Sequence, residues 1–213
     1  MADDCCSKKS DTIAELGRKA DQRRVLITVM AINFVMFVAE FSGGVFARSS
    51  ALMADSVDML GDAFVYALSL YALSRGPRWE AGAALAKGGI ILVFGIAVVV
   101  EIADKLVNGV PPSSTLMLAF GSIALIANLL CLSLLWQFRS QNVNMSSTFE
   151  CSRNDVFANI GVLIAAVLVG ATGSAWPDIL VGGVIALIFL RSAWRVLREA
   201  TRAWRAAKPL SAN

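Results

Sequence analysis

Histidine does not occur anywhere in the 213 residues of this chain. Its absence excludes haem ligation through imidazole and any zinc site built on histidine, and it leaves carboxylates and thiols as the only strong side-chain metal ligands. Charged residues are scarce as well: they make up 16% of the chain, against about 25% in soluble domains. Because 57% of the residues are hydrophobic, this composition excludes an ordinary soluble domain and predicts an integral membrane protein.

The apolar residues are grouped in windows of about 20 residues, the length that a helix needs to cross the hydrocarbon of a bilayer. Six windows are joined by short polar connections, so we predict an all-α integral membrane protein with six transmembrane helices and no soluble domain. We expect an N-terminal segment over 1–24, the membrane domain over 25–199 and a short basic tail over 200–213. The predicted helices run over 25–46, 51–73, 83–107, 115–138, from 144–149 to 170, and over 177–197.

The distribution of lysine and arginine predicts the orientation, since these residues are enriched in cytoplasmic segments. Of the 19 Lys and Arg residues, six precede the first span and six follow or close the last one. Only Arg48 and Lys105 fall on the opposite side. We therefore expect both termini in the cytoplasm of a multi-pass protein of the cell membrane, most simply a bacterial inner membrane. The net charge of +3 reflects this asymmetry and does not indicate nucleic-acid binding.

An acidic stretch, "ADSVDMLGD", lies inside the second apolar window at residues 54–62. Asp58 and Asp62 are four residues apart and Asp55 is three before Asp58, so a helix places all three carboxylates on one face. Like charges at this depth repel each other, and they persist only if they are protonated, paired or neutralised by a cation. The stretch therefore indicates a functional site.

A second pair of ligand-type residues, Cys151 and Asp155, has the same four-residue spacing in the fifth window. Two helices that each offer two ligands one turn apart supply four facing ligands, the number that a tetrahedral transition-metal site requires. We therefore predict an intramembrane divalent metal site made of Asp58, Asp62, Cys151 and Asp155.

The sequence also resembles the cation diffusion facilitator family of metal exporters. The resemblance starts in "FVAEFSGGVFARSSALMADSVDMLGDA" (37–63), with its Glu, paired Gly, Ser-x-Ala-Leu turn and Ala-Asp. It continues through "IANLLCL" (126–132), "CSRNDVFANIGVLIAA" (151–166) and "WPDILVGGVIALIFLRSAWRVLREA" (176–200). An ordered set of motifs on four helices is far more specific than an isolated pair of aspartates, and it covers nearly the whole membrane part of the chain.

The resemblance implies a homodimer of six-helix subunits that binds a divalent cation between helices two and five and exchanges it for protons. By position, Asp58 matches the family's first ligand, Asp62 the Asp four residues later, and Asp155 the corresponding Asp of helix five. Cys151 stands where the family most often has His or Asp. The chain also departs from the family after helix six, where relatives usually carry a cytoplasmic metal-binding domain.

The thiol of Cys151 narrows the choice of transported metal. Thiolate ligands favour zinc and cadmium, whereas a site of oxygen atoms alone favours manganese or magnesium. Nickel and cobalt stay open. The metal is the transported substrate and no cofactor is expected. Because metal ligands must be deprotonated, we expect Asp and Cys to carry the exchanged protons in a chain without histidine.

Three further residues are predicted as accessories of metal handling. Asp55 shares the face of Asp58 and either guides ions or bonds a neighbouring helix. Cys5 and Cys6, in "DDCC", are candidates for capturing metal on the cytoplasmic side, although adjacent cysteines alone make a poor tetrahedral site. Asp178, by contrast, follows Pro177 at the start of helix six and is expected to stabilise that helix end.

Three alternative functions belong to classes of protein other than metal exporters. An enzyme is disfavoured, because the Asp-x-x-x-Asp motif of CDP-alcohol phosphotransferases needs a Gly at position 54, where this chain has Ala. A proton-coupled exporter of organic cations would also use buried carboxylates, but it would gain little from the thiol of Cys151. A membrane sensor that binds metal without moving it has the same sequence signals, and only a transport measurement separates it from an exporter.

Overall fold

The chain forms a bundle of six α-helices in a computed structural model that describes residues 2–71, 77–140 and 143–206. Side chains are described from residue 20 onward, except at 65–66, 68–81, 83, 141–148, 151 and 206–213. The helices are α1 (Ala2–Ala47), α2 (Ser50–Tyr71), α3 (Pro77–Asn108), α4 (Ser114–Trp136), α5 (Val143–Thr172) and α6 (Trp176–Ala206). The described residues contain no strand.

Four helices are long and apolar enough to cross a membrane, judged on the described residues alone. These spans are Ala20–Ala47, Ser114–Trp136, Ser152–Thr172 and Trp176–Arg205. Large apolar side chains face outward from the bundle, for example Phe46, Val107 and Leu187, which are 79%, 84% and 70% exposed. Such a surface suits lipid rather than water. The predicted all-α membrane fold with six helices is therefore confirmed.

Several helices extend beyond the predicted apolar windows, α1 and α6 by the most residues. α1 begins at Ala2, so the polar segment predicted over 1–24 is continuous with the first span as one helix. α6 continues to Ala206, which brings the first part of the predicted basic tail into the helix. The fifth helix begins at Val143, so the polar sequence "ECSRND" is helical.

α2 occupies the centre of the bundle and contacts each of the other five helices. The most extensive pairings are α1 with α2, α3 with α6, and α4 with α5. Small residues permit this crowding, because α2 buries Ala51, Ala54 and Ala63 against its neighbours. The helix that carries the three aspartates is thus the helix with the most protein around it.

The side of the bundle opposite the two chain termini, here called the far side, comprises the connections 48–49, 109–113 and 173–175; the other is the terminal side. Three helices end on the far side with a residue in the left-handed conformation, at Arg48, Gly109 and Gly173 (φ 52°, 66° and 62°). The amide of Gly109 donates to the carbonyl of Lys105 at 2.8 Å. A hydrogen bond of this kind satisfies one of the last carbonyls of a helix, and the left-handed residue turns the chain, so the connection that follows can be very short.

Candidate metal centre

The three aspartates of α2 lie at increasing depth from the far side. Asp55, Asp58 and Asp62 follow the start of the helix at Ser50 by five, eight and twelve residues, which corresponds to about 7, 12 and 18 Å along the helix axis. Asp55 is 2% exposed, whereas Asp58 and Asp62 are half-buried. The two predicted ligands of α2 are therefore accessible in this conformation, and the predicted accessory is not.

Asn159 joins the acidic face of α2 to α5. Its side-chain amide donates to Asp55 Oδ2 at 2.7 Å and to the backbone carbonyl of Asp155, on its own helix, at 3.0 Å. Asn159 is fully buried, and Asp155, one turn before it, is 5% exposed. One amide group thus fixes the distance between the predicted accessory of α2 and the helix turn that carries the predicted ligand of α5.

The carboxylate of Asp155 faces the aspartates of α2. Asp62, Asp58 and Asp55 each act on it electrostatically. The neighbouring Arg153 does not neutralise this cluster at short range, because it forms an ion pair with Glu150 one turn away on the exposed face of α5. Asp55, Asp58 and Asp62 of α2 thus lie within electrostatic range of Asp155 of α5, and this group of four is called the acidic centre.

Two charged residues that the sequence analysis did not assign to the site also belong to its surroundings. Lys87 of α3 lies within electrostatic range of Asp58 and attracts it. Glu40 of α1 is fully buried and interacts with Asp55. Two buried carboxylates side by side require a proton or a cation between them. Neither contact has a short-range signal in the sequence, since both depend on how α1 and α3 pack on α2.

The predicted thiol ligands lie outside the described side chains. Cys151 is in α5, four residues before Asp155, and Cys5 and Cys6 are in the first turns of α1. Among the side chains that the structure does describe, no three acids or thiols are close enough to hold one metal ion. The four-ligand set of Asp58, Asp62, Cys151 and Asp155 therefore stays a prediction.

Cys131 of α4 is the described cysteine nearest to the acidic centre. It is fully buried and unpaired, and Asn33 of α1 donates to its sulfur at 3.9 Å. Asp155 and Asp62 act on it electrostatically. It packs with Val29, among other apolar side chains, so its surroundings are those of a small apolar residue beside the centre.

The fold and this acidic centre define the chain as a helical membrane protein that gathers carboxylates inside its bundle, as cation-transporting proteins do. Residues 26–203 match the family model of the cation efflux transmembrane domain. The chain therefore belongs to the cation efflux family, and the resemblance found in its sequence is confirmed.

Curated relatives are metal transporters. Identity is 29% over 190 residues with the metal cation efflux system protein CzcD of Cupriavidus metallidurans, covering 83% of this chain and 60% of the relative. It is 27% over 215 residues with the zinc transporter ZitB of Escherichia coli, covering 95% and 68%. A cadmium, cobalt and zinc/H(+)-K(+) antiporter of Bacillus subtilis is 26% identical, covering 80% and 61%. The chain thus spans about three fifths of the length of CzcD.

Proposed function

We propose that the protein exports divalent transition-metal cations, with zinc and cadmium favoured, by exchanging them for protons at a site between α2 and α5. The observation that supports the proposal is that Asn159 joins the helix turns of Asp55 and Asp155 by hydrogen bonds, and that the aspartates of α2 lie within electrostatic range of Asp155. Carboxylates at this depth are functional by default, and a cation relieves their mutual repulsion. The relatives, whose names describe zinc, cadmium and cobalt transport, support the same cargo.

Cys151 completes the proposed ligand set. It stands one helical turn before Asp155, the spacing at which two side chains of one helix share a face. Three carboxylates and one thiolate make a mixed oxygen and sulfur site, which suits zinc and cadmium better than manganese or magnesium.

The proposed orientation places the terminal side in the cytoplasm and the far side outside the cell. The basic residues of α6 beyond Leu190 cluster at its terminal end, as expected for a cytoplasmic helix end. We further propose a homodimer in the cell membrane, as the resemblance to the cation diffusion facilitator family implies. Molar mass measured by light scattering in detergent tests the dimer, and a monomer at all concentrations contradicts it.

Metal transport into inverted vesicles tests the function directly. Vesicles that contain the wild-type protein are compared with vesicles that contain Asp62→Ala or Asp155→Ala. Each of these variants removes one carboxylate of the acidic centre. Asp104→Ala is the matched control, because Asp104 is an exposed carboxylate of α3 that bonds only Asn108 among its described contacts. We expect each centre variant to lower cadmium uptake by at least tenfold while the control transports normally. Wild-type rates in both centre variants would contradict the proposed site.

The same assay separates the alternatives. Vesicles that bind cadmium but accumulate none indicate a sensor, and uptake of ethidium without metal uptake indicates an organic-cation exporter. Cys151→Ser tests the proposed thiolate: cadmium transport should fall by at least tenfold and manganese transport should change little. Cys131→Ser is its matched control, since it alters a buried thiol outside the proposed ligand set.

A further inference from the structure

Asp178 makes a dense set of bonds at the far side of the bundle, away from the acidic centre. Its carboxylate is fully buried in the first turn of α6. It accepts the backbone amides of Ser50 and Ala51 at 2.9 and 3.1 Å, and the hydroxyls of Ser49 and Ser50 at 2.5 and 2.6 Å. The sequence analysis expected it to stabilise its own helix. In the structure it caps the start of α2, the helix that carries the acidic centre.

Lys105 connects a third helix to this carboxylate. It lies in the last turn of α3, is 3% exposed, and forms a buried ion pair with Asp178. Its ammonium also donates to the hydroxyl of Ser50 at 3.3 Å. A buried ion pair persists only when further hydrogen bonds satisfy both partners, as they do here. The far-side ends of α2, α3 and α6 are thereby held together by one polar cluster, defined as Ser49, Ser50, Lys105 and Asp178.

Packing closes the far side at the same level. A Cβ atom on Gly182 of α6 would lie 2.7 Å from the amide nitrogen of Ala51, so the backbones of α6 and α2 touch there. Every residue from Ser49 to Val57 is buried, and Asp58, which is half-buried, is the first position along α2 that solvent reaches. Leu52, Met117 and Val162 fill the core beneath the cluster and are fully buried. The far-side part of α2, between the polar cluster and Asp58, is therefore enclosed by packed protein in this conformation.

We propose that Asp178 is a positioning residue of the transport cycle: with Lys105 it holds the far-side end of α2 closed, and this cluster separates when the centre opens to the far side. The proposal rests on the transport function proposed above. Alternating access requires that α2 move relative to at least one neighbour at this end, and the polar cluster joins α2 to both α3 and α6 there. A cavity of about 290 Å³ beside Lys105, Trp176 and Ile179 offers space into which the lysine can move.

Amide hydrogen exchange tests the closure without relying on transport. The peptide that contains the amides of Ser50 and Ala51 is followed in purified protein and in Asp178→Asn, which keeps the side-chain shape and removes the charge. We expect exchange of these amides to accelerate by at least tenfold. Ser50→Ala removes one hydroxyl and leaves the two backbone amide hydrogen bonds to Asp178. We expect it to accelerate amide exchange by a smaller factor, and it replaces Asp178→Asn in the test if that variant does not fold.

The matched control for exchange is Ser113→Ala. Ser113 caps α4 on the same side of the bundle, where its hydroxyl accepts the amide of Leu116, but it makes no described contact with α6. This variant should leave exchange at Ser50 and Ala51 unchanged. Unchanged exchange in both Asp178→Asn and Ser50→Ala would overturn the proposed closure.

Cadmium uptake into inverted vesicles distinguishes a positioning role from a purely structural one. If the cluster favours the conformation that accepts metal from the terminal side, its loss lowers the fraction of competent protein and raises KM in proportion. We expect Asp178→Asn to raise KM by at least fivefold, and Lys105→Met combined with Asp178→Asn to restore part of that rise by removing a buried ammonium that keeps only the more distant Glu101, at 3.9 Å, as its ion-pair partner. A fall in Vmax at constant KM would show a folding role only and would overturn the proposal.

Failure of the proposed function has a different signature. If wild-type vesicles take up no metal, the transport assignment is wrong, while the exchange result still decides whether the cluster closes the far side. If wild type transports and exchange is insensitive to Asp178, the closure alone is wrong.

Discussion

Asn159 shows how one uncharged side chain organises an acidic centre. It donates from α5 to Asp55 of α2 and to the backbone carbonyl of Asp155. It therefore bonds to the predicted accessory residue of α2 and to the backbone of the proposed ligand of α5. Groups that hold metal ligands in place commonly change affinity by about 10- to 100-fold when they are removed. The residue has no charge, so sequence alone predicts only an interhelical hydrogen bond there, although it lies within the family-like stretch 151–166.

Replacing Asn159 tests this role. Asn159→Ala leaves Asp55 Oδ2 without its donor and frees the two helices to separate, so we expect the KM for cadmium to rise by about tenfold. Asn128→Ala is the control, because Asn128 is as deeply buried on α4 and its side-chain nitrogen donates no hydrogen bond among the described residues. Equal KM values for Asn159→Ala and wild type would contradict the role.

At the residue scale, spacing predicted part of the centre and packing supplied the rest. The four-residue intervals predicted that Asp58 and Asp62 share one face of α2 and that Cys151 and Asp155 share one face of α5, because helical periodicity fixes which side chains share a face. That these four residues bind one metal ion stays a prediction. The influence of Lys87 and the partners of Asp178 depend on helix packing, which periodicity does not encode. Asp178 was expected to serve α6, whereas its carboxylate caps α2.

At the scale of the element, the sequence predicted helices well where apolar windows end in polar connections. α4 was expected over 115–138 and spans Ser114–Trp136. α1 was the exception, since hydropathy marks only the part that crosses the membrane and its helix starts at Ala2. Charged residues propagate a helix as readily as apolar ones. Composition therefore distinguishes a membrane-spanning segment from a water-exposed one more clearly than it distinguishes helix from coil.

The left-handed backbone conformation at the far-side helix ends affects the free energy of unfolding, and this effect can be measured. Arg48 has φ 52°, a conformation that costs a non-glycine residue about 1–2 kcal/mol. Arg48→Gly should therefore raise the free energy of unfolding, by about 0.5 kcal/mol after the added chain entropy of glycine. Gly109→Ala is the opposing change, since φ is 66° with no atom within 4 Å of an added Cβ, and it should cost about 1 kcal/mol.

Thermal unfolding in one detergent checks both changes. Shifts of opposite sign, upward for Arg48→Gly and downward for Gly109→Ala, agree with the geometry. Shifts of the same sign contradict it.

At the scale of the whole molecule, the proposed exchange of metal for protons has a defined direction. Metal binds deprotonated ligands, so protons arriving from the far side compete with the bound cation and promote its release there. In inverted vesicles the far side faces the lumen, and an acidic lumen should accelerate cadmium uptake. Each pH unit supplies about 1.4 kcal/mol per exchanged proton.

Vesicles with the gradient present, absent and reversed test this coupling. Uptake should be fastest with an acidic lumen and slowest with an alkaline one. Asp62→Ala vesicles give the background for passive leakage. Identical rates under all three gradients would contradict proton exchange.

The central claim is that one divalent metal ion binds between α2 and α5 to carboxylates and to the thiolate of Cys151. The most direct measurement is X-ray absorption at the zinc edge of purified protein loaded with one equivalent of zinc, in a Cys5→Ser and Cys6→Ser background that removes the N-terminal thiols. The account predicts a single sulfur ligand at about 2.3 Å with oxygen ligands at about 2.0–2.2 Å, and loss of the sulfur in Cys151→Ser. A spectrum without sulfur, or one unchanged by Cys151→Ser, would contradict it.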